Sequence, residues 1–325
     1  MTRMAAVVVV AALCGGCVGT MPPPSGAGSV QITPLGSHDG EFCALDRALV
    51  FEDPDGTRIL YDAGFTVRGA DDPRLGKIDA VLLSHVHGDH LGGAHQAAAN
   101  AGDCGKPDFS VKDVPASNTV NIVVGKKAKF LIGSDMPAFF TPKVKAAGGD
   151  PGQVQLVRFG AMAKIGGVKV ATVPAVHTNG VGPDFLEKDL GDTLRANGLS
   201  AYVGAPTGYV LTFTNGLVVY LSGDTGITAE QDLVVRGHYK AKLAVINIGD
   251  VFTTGPAEAA YVISDLVKPN EVIVSHANEV ATKGGKVLPG TRTEMFTSKV
   301  SIPVHIPLSG KTMAFDGNGK CVSGC

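Results

Sequence analysis

An α/β fold made of stacked layers, with two β-sheets on the inside, is predicted by three features of the sequence. Short runs of β-branched and apolar residues are numerous, helical stretches are few, and the connections between them are short. Several apolar runs are also continuous rather than alternating, such as residues 80–83, and a continuous run is typical of a strand covered on both faces. Such strands indicate a core in which each sheet packs between other layers.

The individual elements follow from the same patterns. The predicted strands are residues 30–34, 48–52, 58–62, 80–84, 121–124, 128–132, 154–158, 168–173, 208–214, 217–222, 243–248, 271–275 and 304–307. The predicted helices are residues 93–100, 137–147, 256–266 and 293–299. Asn215 and Gly216 separate two of the strands and are typical of the tip of a β-hairpin.

The composition is that of a globular protein without a nucleic-acid partner. Hydrophobic residues make up 44% of the 325 residues, which is enough for a sizeable core. The 28 basic and 30 acidic residues give a formal net charge of −2. Because binding to a phosphate backbone needs a basic surplus, we expect no nucleic-acid partner.

Residues 1–27 have the pattern of an export signal followed by a linker. Arg3 precedes an apolar run at residues 5–13, which is too short to span a bilayer as a mature helix. Small residues then lead to Cys17, as in a bacterial lipoprotein signal whose cysteine is lipidated. Simple cleavage by signal peptidase is the alternative. We therefore expect a protein exported to the periplasm or attached to the membrane through Cys17, with one domain at residues 28–325.

The remaining cysteines fit an oxidising compartment. Four are left in the mature chain, and an even number in an exported protein favours two disulfides. Three pairings are possible. The short loop between Cys321 and Cys325 favours that pair, which leaves Cys43 with Cys104.

A cluster of three histidines and one aspartate follows a buried apolar strand. His85 and His87 are two residues apart, so at a strand end both side chains can point to the same side. Gly88 permits a sharp turn, after which Asp89 and His90 face a second position. Imidazole and carboxylate groups are preferred ligands of zinc and similar metals. The cluster therefore predicts a metal site, and the simpler alternative is a solvated turn with scattered histidines.

Three later apolar strands also end at ligand-type residues, namely His177, Asp224 and His276. One histidine at such a position is more often a packed core residue. Four strand ends that all deliver histidine or aspartate are hard to explain by packing alone. We therefore predict that these residues belong to the same metal site.

The ordered set of these residues resembles the metallo-β-lactamase superfamily. The resemblance implies an αββα sandwich, in which two mixed β-sheets are flanked by helices. It implies two divalent metal ions, with zinc expected and manganese or iron as alternatives. One ion would take His85, His87 and His177, the other Asp89, His90 and His276, and Asp224 would bridge them. Asp62 matches an early Asp-x-Gly element and is expected to orient a ligand or the bridging water.

Three segments resemble one subgroup of this superfamily in particular. Residues 222–226, 248–256 and 274–276 are similar to the subgroup that contains ascorbate-6-phosphate lactonase and related metal-dependent hydrolases. The early stretch at residues 36–43 matches that subgroup only loosely, and export is unusual for a sugar-phosphate enzyme. The segment at residues 250–256 is a candidate substrate contact.

The implied activity is that of a binuclear hydrolase acting on a small molecule. A metal-bridging hydroxide would cleave an ester, lactone or phosphodiester, and Asp89 or Asp224 would act as the catalytic proton acceptor. A β-lactamase is an alternative that fits export, although β-lactamases carry a different residue at the position of Asp224. A tRNA-processing nuclease resembles residues 222–225 but fits neither export nor the charge. A non-catalytic metal-binding surface protein is the alternative outside catalysis.

Overall fold

The computed structural model describes residues 28–325, and the predicted export signal at residues 1–27 lies outside this range. Two large β-sheets pack face to face, and helices cover the outer face of each sheet. The predicted αββα sandwich of two mixed sheets is therefore confirmed. Within residues 28–325, no helix has both the length and the apolar character required to cross a bilayer.

The first sheet has eight strands. In spatial order they are Val154–Leu156, Lys129–Ile132, Ala80–Leu82, Arg58–Tyr61, Leu49–Glu52, Val30–Pro34, Met313–Phe315 and Cys321–Ser323. The first four are mutually parallel and the others pair antiparallel. Leu49 lies opposite Tyr61, so the start of one strand and the end of its neighbour meet at one edge of the sheet.

The second sheet has seven strands. In spatial order they are Met162–Ile165, Val168–Pro174, Thr207–Thr212, Val218–Leu221, Leu243–Asn247, Glu271–Ser275 and Val304–His305. The last four are parallel and the first four pair antiparallel. Short two-stranded ladders pair Ala94–His95 with Val111–Lys112, Gly102–Asp103 with Lys106–Pro107, Gly180–Val181 with Ala201–Tyr202, and Thr282–Lys283 with Lys286–Val287.

The helices lie mainly between strands, on the outside of the sandwich. The α-helices are Gly88–Leu91, Asn118–Lys126, Met136–Ala146, Lys188–Ala196, Pro256–Tyr261 and Arg292–Lys299. Short 3₁₀ turns occupy Pro151–Gln153 and Pro183–Phe185, and π-helical segments occupy Gln231–Tyr239 and Val262–Val267.

Alternation along the strands distributes side chains between three apolar layers. In the first sheet Leu82 points to the layer between the sheets, whereas Val81 points to the helices outside. In the second sheet Val245 faces the inner layer and Ile246 faces the opposite helices. Both faces of each sheet are thus covered, which explains the continuous apolar runs in the sequence.

Two predicted elements are wrong. Residues 121–124 were expected to be a strand because they are apolar and partly β-branched, but they lie in the helix Asn118–Lys126. This helix starts at Ser117, whose hydroxyl accepts a hydrogen bond from the Val120 amide at 3.1 Å, and its buried face packs in the outer layer. Residues 93–100 were expected to be helical, but the chain turns at Gly92 and continues into the strand Ala94–His95.

Gly92 ends the short helix Gly88–Leu91, and its conformation explains why the helix does not continue into residues 93–100. Its φ is +78°, a conformation that favours glycine, and an added Cβ would collide with the carbonyl oxygen of Gly64. The close approach holds the turn after His90 against the segment that follows Asp62.

Both favoured disulfide pairings are confirmed. Cys43 is joined to Cys104, and Cys321 is joined to Cys325. The first bond connects the segment before strand Leu49–Glu52 to the ladder Gly102–Asp103, and the amide of Ala44 reinforces this link by donating to the carbonyl of Cys104 at 3.2 Å.

Candidate metal centre

The seven residues that the sequence singled out converge at one edge of the sandwich. Parallel strands end side by side, so residues that directly follow them are delivered to the same place. Tyr61 and Leu82 end neighbouring strands of the first sheet, and Pro174, Leu221 and Ser275 end strands of the second. The candidate site therefore lies where both sheets present their strand ends.

His85, His87 and His177 form a first group of ligand-type atoms, all within 4.8 Å of one another. Nδ1 of His87 lies 3.2 Å from Nε2 of His177. The other nitrogen of His87 is 3.2 Å from the hydroxyl of Thr178. The Nδ1 atom of His87 therefore faces the group, while its Nε2 atom is held by the loop that carries His177.

Asp89, His90 and His276 form a second group within the same limit. Oδ2 of Asp89 lies 3.3 Å from Nε2 of His276 and 3.6 Å from Nε2 of His90. The rings of the two histidines are stacked at a centroid distance of 5.3 Å. One carboxylate oxygen thus faces two imidazole nitrogens.

Asp224 lies between the two groups. Its Oδ2 atom is 3.8 Å from Nε2 of His85 and 3.7 Å from Nε2 of His177 in the first group. Its carboxylate also lies 3.3 Å from Nε2 of His90, through Oδ1, and 2.9 Å from Nε2 of His276, through Oδ2. A single buried carboxylate is shared by both groups.

The donor set fits divalent metal ions. Ligand atoms arranged tetrahedrally around zinc lie about 3.4 Å apart, given metal–ligand distances of roughly 2.1 Å. The distances between the facing donor atoms are 2.9–3.8 Å. Within residues 28–325, Nε2 of His85, Nε2 of His90 and Oδ1 of Asp224 are buried without a hydrogen-bond partner. Buried polar atoms are normally satisfied, so these three are available for an ion.

Asp62 and Ser84 set the orientation of two histidines. Oδ2 of Asp62 lies 2.8 Å from Nδ1 of His90 and accepts a hydrogen bond from the Ser84 hydroxyl at 2.7 Å. The hydroxyl oxygen of Ser84 in turn lies 2.9 Å from Nδ1 of His85. With the protons on both Nδ1 atoms, both Nε2 lone pairs face the site. Asp62 thus lies against His90, one of the predicted ligands, as the sequence led us to expect.

Three further side chains support the site and were not predicted from the sequence, namely Arg47, Asn278 and Asn179. The buried guanidinium of Arg47 donates to Oδ2 of Asp89 and to Oδ1 of Asn278. Asn179 accepts from the amide of Val86 at 2.9 Å and so ties the first histidines to the loop after His177. The position of Arg47 just before the strand Leu49–Glu52 is the signal that could have identified it. That strand is antiparallel to Arg58–Tyr61, so its start lies at the sheet edge where the site is.

Burial keeps the first group neutral. It lowers the pKa of His85 well below its usual value and also lowers the pKa of His87 and of His177. Burial opposes protonation of His90 as well, but the nearby carboxylates outweigh it and raise the pKa of His90 well above its usual value. In the first group the neutral imidazole is the form that can bind a metal.

The two carboxylates are ionised. Burial alone would raise the pKa of Asp224 and of Asp89. His90 and His276 outweigh that effect and hold both pKa values well below the usual value for aspartate. The centre therefore combines the neutral imidazoles of the first group with two negative carboxylates, and both kinds of donor are ones that borderline divalent metals prefer.

A cavity of about 360 Å³ opens onto this centre. It is lined by Leu45, His87, Asp89, His177, Thr178, Asp224, Phe252, His276 and Asn278. Phe252 lies in the predicted contact segment, and the helix that follows starts with Gly255 as its N-cap and Pro256 in its first turn. A larger apolar groove of about 510 Å³ beside helix Met136–Ala146 is lined by none of the seven residues. The cavity at the histidines therefore connects ligand-type atoms of both groups with solvent.

Comparisons with known proteins agree with this geometry. The family model described as the beta-lactamase superfamily domain matches residues 57–277. A UPF0173 metal-dependent hydrolase of Cupriavidus necator is 29% identical over 292 residues, which cover 85% of this chain and 87% of that protein. A UPF0173 metal-dependent hydrolase of Cupriavidus metallidurans is 30% identical over 244 residues, covering 74% of this chain and 71% of the other.

A solved structure shares the fold. Igni18, a metallo hydrolase from the hyperthermophilic archaeon Ignicoccus hospitalis, superposes with a TM-score of 0.57 at 21% identity and covers 89% of this chain and 99% of its own. The family match at residues 57–277 contains all seven ligand-type residues of the centre. This chain therefore belongs to the metallo-β-lactamase superfamily and is a metal-dependent hydrolase.

Proposed function

We propose that the protein is a binuclear hydrolase that cleaves an ester, lactone or phosphodiester bond in a small molecule. The observation that supports this most directly is the shared carboxylate of Asp224 between two complete groups of ligand-type atoms. A single-metal site would need only one of these groups. Both groups also line one cavity of a size that suits a small substrate.

The proposed ligands fall into two groups of three, one for each metal ion, and one shared carboxylate. His85, His87 and His177 would hold one ion, and Asp89, His90 and His276 would hold the other, with Asp224 in contact with both. Zinc is the proposed metal, since the ligands are imidazole and carboxylate, and manganese or iron are the alternatives. When bound, two such ions supply a nucleophilic water at neutral pH and polarise the bond under attack.

Side chains of the chain itself do the remaining work. Asp89 and Asp224 both line the cavity, and these two carboxylates are the proposed proton acceptors of the reaction. Leu45 and Phe252 give the cavity an apolar wall, and Thr178 gives it a hydroxyl. These groups would bind and orient the substrate over the metals.

The similarity of residues 222–226, 248–256 and 274–276 to the ascorbate-6-phosphate lactonase subgroup favours a lactone or ester. The nine residues lining the cavity include no lysine or arginine. The cavity therefore offers no lysine or arginine side chain that would bind a phosphate group of the substrate. We therefore place lactones and esters first in the substrate class and phosphodiesters second.

Metal analysis joined to a substrate panel tests this proposal. Purified protein should contain close to two equivalents of metal and should hydrolyse at least one lactone, ester or phosphodiester, with nitrocefin included to detect β-lactamase activity. His87→Ala should abolish turnover and remain folded, because His87 is only partly buried. His238→Ala, at an exposed histidine away from the cavity, is the matched control. Full activity after metal removal would disprove the proposal.

We also propose that the protein works outside the cytoplasm, attached to the membrane through Cys17. The two disulfides support an oxidising compartment. Fractionation of cells that express the full chain should recover it with membranes, whereas Cys17→Ala should be released to the soluble periplasmic fraction. Recovery of the wild-type chain in the cytoplasm with residues 1–27 still attached would contradict this.

A further inference from the structure

Arg47 is a buried arginine whose guanidinium is held on every side. Its side chain is 1% exposed. Nη1 donates to the backbone carbonyls of Ala44 at 3.3 Å and Asp46 at 3.1 Å. On the opposite side, Nε and Nη2 donate to the same oxygen of Asp89 at 3.2 and 3.1 Å. An arginine buried to this degree is costly to desolvate unless its donors are used, and here they are.

The oxygen that Arg47 holds is the one that faces the histidines. Oδ2 of Asp89 accepts both guanidinium hydrogen bonds and also lies 3.3 Å from Nε2 of His276. Asp89 follows Gly88 in a four-residue helix, so its own backbone restrains its carboxylate only weakly. The guanidinium, in contrast, is fixed by carbonyls and by Asn278, whose Oδ1 accepts from Nη2 at 2.5 Å.

We propose that Arg47 is a positioning residue that sets the affinity of the second group for its metal ion. The proposal rests on the two-metal centre proposed above. The forked contact fixes the Asp89 oxygen in the place where it joins His90 and His276, before any ion arrives. A lysine in the same place would keep the positive charge but could not hold one oxygen with two donors in a fixed plane.

Separate affinities for the two ions are the decisive measurement. Metal-free protein is titrated with zinc in competition with a chromophoric chelator, and the two dissociation constants are fitted. Arg47→Lys should weaken the step that fills the second group, called here the second binding step, about 10- to 100-fold, as is usual when a ligand loses its outer hydrogen-bond partner. The step that fills the first group should stay unchanged. Arg74→Lys is the matched control, since Arg74 is equally engaged with a carboxylate but away from the cavity.

A purely structural role of Arg47 has a different signature. Loss of the contacts to Ala44 and Asp46 alone would lower the melting temperature of the metal-free protein without changing the ratio of the two affinities. An unchanged ratio in Arg47→Lys would therefore overturn the proposal. If the wild-type protein binds only one ion, the two-metal centre itself fails, which is a distinct result.

A second variant covers the case in which Arg47→Lys does not fold. Asn278→Gly removes one of the two acceptors of Nη2 while leaving Arg47, its carbonyl partners and Asp89 in place. Glycine is chosen because the φ of Asn278 is +55°, which an alanine adopts only with strain. This variant should weaken the second binding step by a smaller factor than Arg47→Lys. No change of that step would count against the proposal.

Discussion

Nδ1 of His90 lies 2.8 Å from Oδ2 of Asp62, and both side chains are buried. The same carboxylate accepts hydrogen bonds from the amide and the hydroxyl of Ser84, so its two oxygens have three partners. Because Ser84 also contacts His85, one carboxylate orients a histidine in each of the two groups. We therefore expect Asp62 to affect both metal ions without touching either.

Asp62→Asn tests this relationship. In asparagine an NH₂ group at the position of Oδ2 accepts neither the His90 nor the Ser84 hydrogen bond, so the imidazoles of His90 and His85 are both held less firmly. We expect zinc affinity to fall about 10- to 100-fold at both steps, measured by chelator competition. Asp113→Asn is the matched control, because Asp113 holds His95 at 2.6 Å in a similar pair outside the cavity. Unchanged zinc affinity in Asp62→Asn would show that the pair is structural only.

We expect Asp72 to contribute to the acid stability of the metal-free protein. Its side chain is fully buried, and its Oδ2 lies 2.6 Å from Nη2 of Arg74, which also donates to backbone carbonyls. Burial alone would raise the pKa of Asp72, but hydrogen bonds and charge from Arg74 outweigh it and lower this pKa. A lowered pKa in the folded state stabilises the fold above the unfolded value of about 3.9, and this stabilisation is lost as the pH falls further.

Asp72→Asn should therefore be less stable by about 1.5–3 kcal/mol at pH 7, a typical value for a hydrogen bond to a charged group. The difference from wild type should shrink as the pH falls below about 4. Urea unfolding of metal-free proteins between pH 3 and pH 7 (roughly one point per unit) measures it. Asp192→Asn, at an exposed ion pair with Lys188, should show little effect at any pH. A difference that stays constant with pH would exclude ionisation of Asp72 as its cause.

The convergence of the predicted ligand residues could be foreseen from the sequence because four of them closely follow strands. His85, His177, Asp224 and His276 all follow apolar runs, and a run of that kind fixes where its last residue emerges. The layered fold followed from the same runs. What the sequence could not supply was contact between residues far apart in the chain.

Arg47 illustrates this limit. It lies 42 positions from Asp89 and 231 positions from Asn278, and no local pattern joins the three. The helix at residues 118–126 was missed for a related reason, since its β-branched residues favour a strand locally. Packing in the outer apolar layer and the Ser117 cap override that preference.

Phe252 should contribute to substrate binding rather than to metal binding. Its side chain lines the cavity, yet the residue is 70% exposed in the absence of a substrate. A substrate that covers this ring gains apolar contact, and about 1.4 kcal/mol of such contact corresponds to a tenfold change in affinity. Phe252→Ala should therefore raise KM about tenfold for a substrate found in the panel. The metal content should remain that of wild type.

Val251→Ala is the matched control for this position. Val251 precedes Phe252 in the same loop and is 83% exposed, but it does not line the cavity. Steady-state kinetics of the two variants, together with metal analysis, separate a substrate contact from a general effect on the loop. Equal KM values in both variants would argue against contact between Phe252 and the substrate.

The two disulfides should differ in their contribution to stability. Cys43 and Cys104 are 61 positions apart, whereas Cys321 and Cys325 are 4 apart. In the chain-entropy model, the longer loop stabilises by about 4 kcal/mol and the shorter by about 2 kcal/mol. Denaturant unfolding of the two double alanine variants in metal-free form measures these costs.

The Cys43–Cys104 disulfide should also affect metal binding, because Cys43 begins the segment that carries Arg47 to Asp89. Its removal should also weaken the second zinc-binding step, and removal of the Cys321 pair should not. Equal zinc affinities in the two variants would show that the disulfide stabilises the fold without holding Arg47 in place.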